Sequence, residues 1–334
     1  MVRPTLEDVA RFAGVSRATV SRVVRHDPGV ATETAAKVGA AVSKLGYVPN
    51  ASARSLATGR SNTLAMVVPE PDGMVFSDPF FGLAVAGIND GMAGTDMQLV
   101  MVFASHPDRS GSVVDFLLEG RVAGAIVVSH HRSDGLVAAA LNLPIPTVFL
   151  GAPLLPDTDQ HPYFVDTDNL GGARLAAERM LATGVRRPAT VAGPSDMSAA
   201  LDRLTGWRTV LEDAGLEVAV AHGDYTRESG ARAAAELLDA DPAIDGIFAA
   251  SDLMAQGVMD TLRARGIRIG EQVKVIGFDD FAAAATLDPP LTTVVNPAVA
   301  LGREATRMVL SLVEGRETVS PVTLPVELRV RESG

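Results

Sequence analysis

Arg17, Ala18, Ser21 and Arg22 are the first residues in the chain whose types and spacing suggest chemistry. They share the outer face of a short helical stretch, near its N-terminal end. An arginine so placed can donate two hydrogen bonds to a guanine edge in the major groove. A second set stands at the ends of apolar runs further on. Ser251 and Asp252 follow GIFAA, Asp279 and Asp280 follow VKVIGF, and Asp224 and Tyr225 follow EVAVA. Arg203 and Trp207, the only tryptophan, come after PATVAG; Phe80 and Phe81 come after the first such run. Ser129 and His130 stand at the third run and Gly151 at the fourth. These types suit a polar, uncharged ligand such as a sugar: carboxylates accept from hydroxyls, an arginine donates, and an aromatic face stacks on ring C–H groups.

The first set needs two helices and a tight turn to hold it. In TLEDVARFAGVSRATVSRVVR, Thr5 caps one helix, and Asp8, three residues on, suits the positive end of its dipole. Leu6, Val9, Ala10 and Ala13 recur at helical spacing, and Gly14 accepts the left-handed cap that ends the helix. Ser16 caps a second helix, which turns Val20, Val23 and Val24 inward. A third helix runs from Thr32 to about Leu45, with Ala36, Val38, Ala41, Val42 and Leu45 as its apolar material and Gly46 after it. That is the plan of a helix-turn-helix, whose second helix meets base edges.

The same run, continued through VSKLGYVPNASARSLATG, resembles the start of a LacI-family (lac repressor-like) transcription regulator. By composition alone, Ala51 to Thr58 reads as a linker with one stray leucine, too short for a stable helix in water. The resemblance implies a hinge helix that forms on DNA, pairs with its twin in a homodimer and wedges Leu56 into the minor groove. The DNA-facing set expected on this basis is Thr5, Leu6, Ser16, Arg17, Ala18, Thr19, Ser21 and Arg22 in the head, with Asn50, Ala53, Arg54 and Leu56 in the hinge.

Charge is distributed to match. The chain of 334 residues carries −11, yet residues 1–60 hold nine Lys and Arg against four acids, a local +5 that leaves −16 on the remainder. A basic head on an acidic body confines phosphate attraction to one end. The absence of cysteine excludes disulfides and thiolate metal sites and fits a cytoplasmic, nucleoid-associated protein. MVRPTLEDVA does not read as a signal peptide, and no apolar run reaches membrane length.

From Thr63 the pattern becomes strand, helix, strand, as in parallel sheets covered on both faces. The expected fold class is α/β: an all-α helix-turn-helix head with a hinge helix, then two parallel-sheet lobes of periplasmic-binding-protein type. The expected domains are 1–48 (head), 49–60 (hinge), 61–162 with 292–320 (first lobe), and 163–291 with 321–334 (second lobe). Two lobes joined by several crossings bind ligands in the cleft between them, beyond the strands' carboxyl ends.

The resemblance extends to that cleft. RLTGW resembles the family segment whose arginine grips the effector, here Arg203; VIGFDD carries a ligand carboxylate, Asp279; GDYTRESG supplies a stacking aromatic, Tyr225; and DPPLTTV leads to Asn296. The expected effector set is Phe80, Phe81, Ser129, Arg203, Tyr225, Ser251, Asp279 and Asn296. On residue type alone Arg203 also reads as a solvated helix arginine, Trp207 as core, Asp279 as a turn cap, His130 and His131 as a polar loop, and Asp166 and Asp168 as organisers of the turn before a long helix. Three departures mark this chain: Ser251 where the family often has asparagine, Gly151 where some sugar-binding relatives have aspartate, and a longer first-strand loop, PEPDGMVFSDPFF.

No phosphate loop, nucleophile elbow or helix-spaced histidine pair is present in the sequence. The expectation is therefore a ligand-controlled repressor of carbohydrate-use genes and not an enzyme. It needs no cofactor or metal and no membrane, and its partners are a near-palindromic duplex operator, a small-molecule effector of sugar type and a second copy of itself. A chain that stops soon after its last strand, without a leucine heptad tail, is expected to form a dimer and not a tetramer. The expected switch is a ligand that favours one lobe arrangement, which shifts the first lobes and unpairs the hinge helices.

Overall fold

The computed structural model describes residues 4–24, 27, 29–47, 61–104, 107–132, 135–155 and 161–334. Two compact units divide the chain, residues 1–61 and 62–334.

The first unit contains α1 (Leu6–Ala13), α2 (Arg17–Val24) and α3 (Thr32–Leu45). Thr5 and Asp8 form a reciprocal capping box: Asp8 N–H donates to Thr5 Oγ1 (3.3 Å) and Thr5 N–H donates to Asp8 Oδ2 (2.9 Å). Gly14 and Gly46 end α1 and α3 at φ of +66° and +62°, where a Cβ would be strained. Ser16 Oγ accepts from Thr19 N–H (3.1 Å), so it caps α2 as its sequence position predicts. Val9, Ala10, Val20, Val38, Ala41 and Tyr47 form the small core, with Leu6, Ala13, Val23, Val24, Val42 and Leu45 packed around it.

The second unit is built on two six-stranded sheets. The first has the order β11-β5-β4-β3-β1-β2 and is parallel throughout. Its strands are β1 (Thr63–Val68), β2 (Gln98–Phe103), β3 (Gly124–Val128), β4 (Thr147–Leu150), β5 (Tyr163–Thr167) and β11 (Val322–Leu324). The second sheet has the order β12-β10-β9-β8-β6-β7 and is parallel except for β12. Its strands are β6 (Pro188–Ala192), β7 (Ala219–His222), β8 (Gly246–Ala249), β9 (Lys274–Asp279), β10 (Thr292–Val295) and β12 (Glu327–Arg329). Alternation along β1 sends Leu64, Met66 and Val68 into one core and Ala65 and Val67 into another. The second sheet is likewise covered on both faces. Trp207, fully buried and stacked on Phe248, is core.

Three expectations about the lobes are corrected. β5 does not begin the second lobe: it pairs with β4 in the first sheet, Val148 opposite Tyr163. Thr292–Val295 lies in the second sheet beside β9, so the return crossing falls later, at Asn296 and Pro297. Residues 322–324 return to the first sheet beside β5 before the chain crosses a third time. A strand buried on both faces reads as an unbroken apolar run in either sheet, so hydrophobicity does not tell them apart. The long first-strand loop also contains a helix that its sequence did not suggest, α4 (Asp72–Ser77), immediately before α5 (Pro79–Gly91). The remaining helices are α6 (Pro107–Leu118), α7 (Gly135–Leu141), α8 (Asn169–Ala182), α9 (Ser198–Asp213), α10 (Arg227–Ala240), α11 (Asp252–Ala264) and α12 (Ala298–Val313).

Candidate functional site

The carboxyl ends of both sheets face one cavity. All eight residues expected to touch an effector line it: Phe80, Phe81, Ser129, Arg203, Tyr225, Ser251, Asp279 and Asn296. They are separated by up to 216 positions in sequence. Parallel β-α connections bring them together, because each one returns the chain to the same end of its sheet.

Arg203, on α9, is buried and committed to protein partners, unlike a solvated helix arginine. Its Nε donates to Asn169 Oδ1 (2.8 Å) and one terminal nitrogen donates to Ala250 O (2.6 Å). That nitrogen also stands 4.0 Å from Asp279 Oδ1. The guanidinium carbon lies 3.6 Å from the centre of the Phe278 ring, close enough for a cation–π contact. Asp279 Oδ1 accepts from Asn296 Nδ2 (3.0 Å), and Asn296 Oδ1 accepts from Thr167 Oγ1 (2.8 Å). Burial pushes the Asp279 carboxyl up to about 7 against the pull of Arg203. Ser251 caps α11 through Met254 N–H (3.2 Å). Behind it, buried Asp252 accepts from Thr293 Oγ1 (2.6 Å) and Phe281 N–H (3.0 Å), and its carboxyl is also raised by burial.

The non-glycine residues with positive φ among the described residues are Ser129 (+57°), Tyr225 (+68°), Asp279 (+124°) and Asp280 (+56°). Each stands at a strand end, and the first three line the cavity. Such conformations cost on the order of 1–3 kcal/mol each and persist where surroundings fix them, typically at binding sites. Asp280 is fixed by ion pairs to Arg329 and Arg331. The Tyr225 hydroxyl is buried without a hydrogen-bond partner, and burial pushes it up to about 12. Its ring lies over Gly193, where a Cβ would stand 2.6 Å from Tyr225 Cζ.

The cavity also recruits residues that sequence reasoning assigned elsewhere or passed over. Asp78 caps α5 through Phe80 N–H (2.9 Å), and burial pushes its carboxyl up to about 6. Its place just before Pro79 at a helix start is the local signal that could have found it. Asp166 accepts from Ala152 N–H (3.1 Å), Thr167 N–H (2.7 Å) and Asn169 Nδ2 (3.0 Å), while Asp168 is the N-cap of α8. His130 is buried, with Nε2 3.2 Å from Gly151 O and its ring edge-on to Phe149. Burial pulls it down to about 4.

At the side of the cavity, His131 bridges the two sheets. Its Nε2 donates to Glu70 Oε1 (3.0 Å), which also accepts from Ser129 Oγ (2.7 Å). Its Nδ1 donates to Asp196 Oδ1 (2.9 Å), on the loop after β6. Arg132 N–H reaches Asp196 O (2.9 Å), and Ser198 Oγ reaches Ala152 O (2.5 Å). The hydrogen bond to Glu70, with that to Asp196, raises His131 to about 9, so it is cationic at neutral pH.

In the helical unit, Thr5, Ser16, Arg17, Ala18 and Arg22 are exposed, whereas Leu6, Thr19 and Ser21 are half-buried. Arg17 reaches Glu7 (3.5 Å). Arg22 Nε lies 3.1 Å from Asp27 Oδ2, and its terminal nitrogen donates to Gly29 O (3.4 Å). Asn50, Ala53, Arg54 and Leu56 lie outside the described residues. No helix among the described residues is long and apolar enough to cross a membrane.

Residues 5–50 match the family described as bacterial regulatory proteins, lacI family, and residues 177–334 match the periplasmic binding protein-like domain. The HTH-type transcriptional regulator CelR of Thermobifida fusca is 42% identical over 99% of this chain and 98% of its own. The HTH-type transcriptional repressor CytR of Escherichia coli K12 is 31% identical over 98% and 96%. A solved complex of CelR with cellobiose has a TM-score of 0.77 at 40% identity, covering 99% of this chain and all of its own. The lac repressor dimer bound to operator and the anti-inducer ONPF has a TM-score of 0.86 at 30% identity, covering 99% of each.

Proposed function

The chain belongs to the LacI family and is a DNA-binding transcriptional regulator, not an enzyme; from that premise we propose that it is a homodimeric repressor of carbohydrate-use genes, released from its operator by a sugar in the inter-lobe cleft. The observation that carries the sugar reading is the single cavity holding Arg203, Asp279, Asn296 and the aromatic rings of Phe80, Phe81 and Tyr225. Donors, acceptors and flat apolar faces are what a pyranose ring presents surfaces for. The CelR–cellobiose complex supports the same class of ligand.

In this reading, residues 1–48 are the DNA head and 49–60 a hinge. The core divides into 61–167 with 298–324, and 168–297 with 325–334, following sheet membership. Thr5, Leu6, Ser16, Arg17, Ala18, Thr19, Ser21 and Arg22 contact DNA from the head, and Asn50, Ala53, Arg54 and Leu56 from the hinge. A homodimer presents two heads to a near-palindromic site. The protein works in the cytoplasm, at the nucleoid. The sugar binds one lobe arrangement better than the other, and that difference in affinity is all that it can transmit to the DNA.

The test is footprinting on the DNA upstream of the protein's own gene, with and without a panel of mono- and disaccharides. Protection of a near-palindromic stretch that one sugar abolishes supports the reading; protection indifferent to every sugar overturns its ligand half.

A further inference from the structure

We infer that His131, held between Glu70 and Asp196, is a latch between the lobes that must open before an effector enters or leaves the cleft. The inference rests on the reading of that cleft as an effector site and adds the residues that control exchange through it.

The crossings between the lobes lie at one edge of each sheet, at β5 and β11 in the first and at β10 and β12 in the second. They are tied to one another: Thr167 Oγ1 donates to Asn296 Oδ1 (2.8 Å), and Asp168 N–H donates to Leu324 O (2.9 Å). Parting of the lobes therefore pivots there. The latch stands away from that pivot. Glu70 and His131 follow β1 and β3, and Asp196 follows β6; β1 is three places from β5, and β6 is three places from β10. Three strand spacings give a lever arm of about 14 Å, so a rotation of roughly 10° parts the lobes at β6 by about 2.5 Å. A hydrogen bond of 2.9 Å does not survive that, so the His131–Asp196 bond breaks early in any opening. Glu70, buried in the first lobe, holds the ring from behind at 3.0 Å. With a carboxylate on each nitrogen the imidazole is a cation, and both bonds are charge-assisted. Arg132 N–H fastens the backbone of Asp196 to the same loop (2.9 Å). The side chains that an effector would grip, Arg203, Ser251, Asp279 and Asn296, are buried in this arrangement, so a sugar ring reaches them only when the lobes part. The latch does not line the cavity and holds the joined lobes alike with or without a ligand. Breaking it should speed entry and exit by one factor and leave affinity unchanged, whereas loss of a ligand contact acts on the exit rate and on affinity.

The test is single-molecule energy transfer on the full-length protein. The chain has no cysteine, so Ser77→Cys and Glu228→Cys, at exposed positions on α4 and α10, place dyes on opposite lobes without competing thiols. Labelled subunits are diluted into unlabelled protein. Without any sugar, Asp196→Ala and His131→Gln should each raise the rate of lobe parting about tenfold, the factor that one charge-assisted hydrogen bond is worth. The double variant should do no more than either single one, since all three remove the same bond. With cellobiose as the probe, association and dissociation should both quicken by that factor at unchanged affinity. Parting rates equal to wild type overturn the inference whether or not a sugar binds. Faster dissociation with lost affinity also overturns it, because it makes His131 a ligand contact. So does an equal quickening by Arg187→Ala, which breaks an ion pair with Asp241 inside the second lobe and reports general loosening. Faster parting in a protein that binds neither cellobiose nor any other sugar of the panel supports the latch and overturns the sugar reading.

Discussion

His131 Nδ1 and Asp196 Oδ1 are 2.9 Å apart, which ties the loop after β3 in the first sheet to the loop after β6 in the second. Held also by Glu70, His131 has its pKa raised to about 9 from an ordinary 6.5. A raised histidine pKa stabilises fully below the unfolded value, and the contribution is lost as pH rises through the folded one. Urea denaturation of wild type and His131→Gln should therefore differ by about 1–2 kcal/mol at pH 6, discounted for the partly exposed Asp196, and converge by about pH 10. A gap that stays constant from pH 6 to 10 would remove the ion pair from the explanation.

Tyr225→Phe separates binding from folding. The hydroxyl has no partner in the protein, so its removal should leave stability unchanged or slightly higher. If the hydroxyl bonds the effector, affinity falls about 2–10-fold, the range for one net hydrogen bond. A stability loss without an affinity loss would make the group structural.

Asp279→Asn should keep operator binding and lose the response to sugar. Asparagine matches aspartate in shape at this strained position (φ +124°) and removes the carboxylate facing Arg203. Sugar affinity, read by calorimetry, should fall by at least about tenfold, a charge-assisted hydrogen bond being worth roughly 1.5–3 kcal/mol. Wild-type sugar affinity in the variant would exclude Asp279 from the ligand's contacts.

Arg22 is proposed as a base reader, yet its guanidinium is engaged by Asp27 and Gly29. Arg22→Ala should cost roughly 1–3 kcal/mol at one base position. Asp27→Asn should instead raise operator affinity, since it weakens the hold on Arg22 and removes one negative charge from the head. Affinities measured across single-base operator variants report both; a flat profile for Arg22→Ala would end its role as a reader.

The head was the most legible part of the sequence. Thr5, Asp8, Gly14, Ser16 and Gly46 act through neighbours within five residues, so local chemistry locates them. The cleft was legible by rule, because strand ends of parallel sheets converge. The partners of Arg203 and His131 were not: Asn169, Ala250, Glu70 and Asp196 lie 34 to 65 positions away. No periodicity links such pairs, so the polar-loop reading of His130 and His131 located them without revealing their partners. Sheet membership of β5 and β10 was illegible because pairing, not composition, decides it.

The most direct test of coupling between cleft and head is reciprocity: operator affinity with and without saturating sugar, and sugar affinity with and without operator, in one buffer. Linkage requires both ratios to be equal. The predicted result is a fall of roughly 5–150-fold in each, by the same factor within error; an operator affinity untouched by a sugar that demonstrably fills the cleft would contradict it.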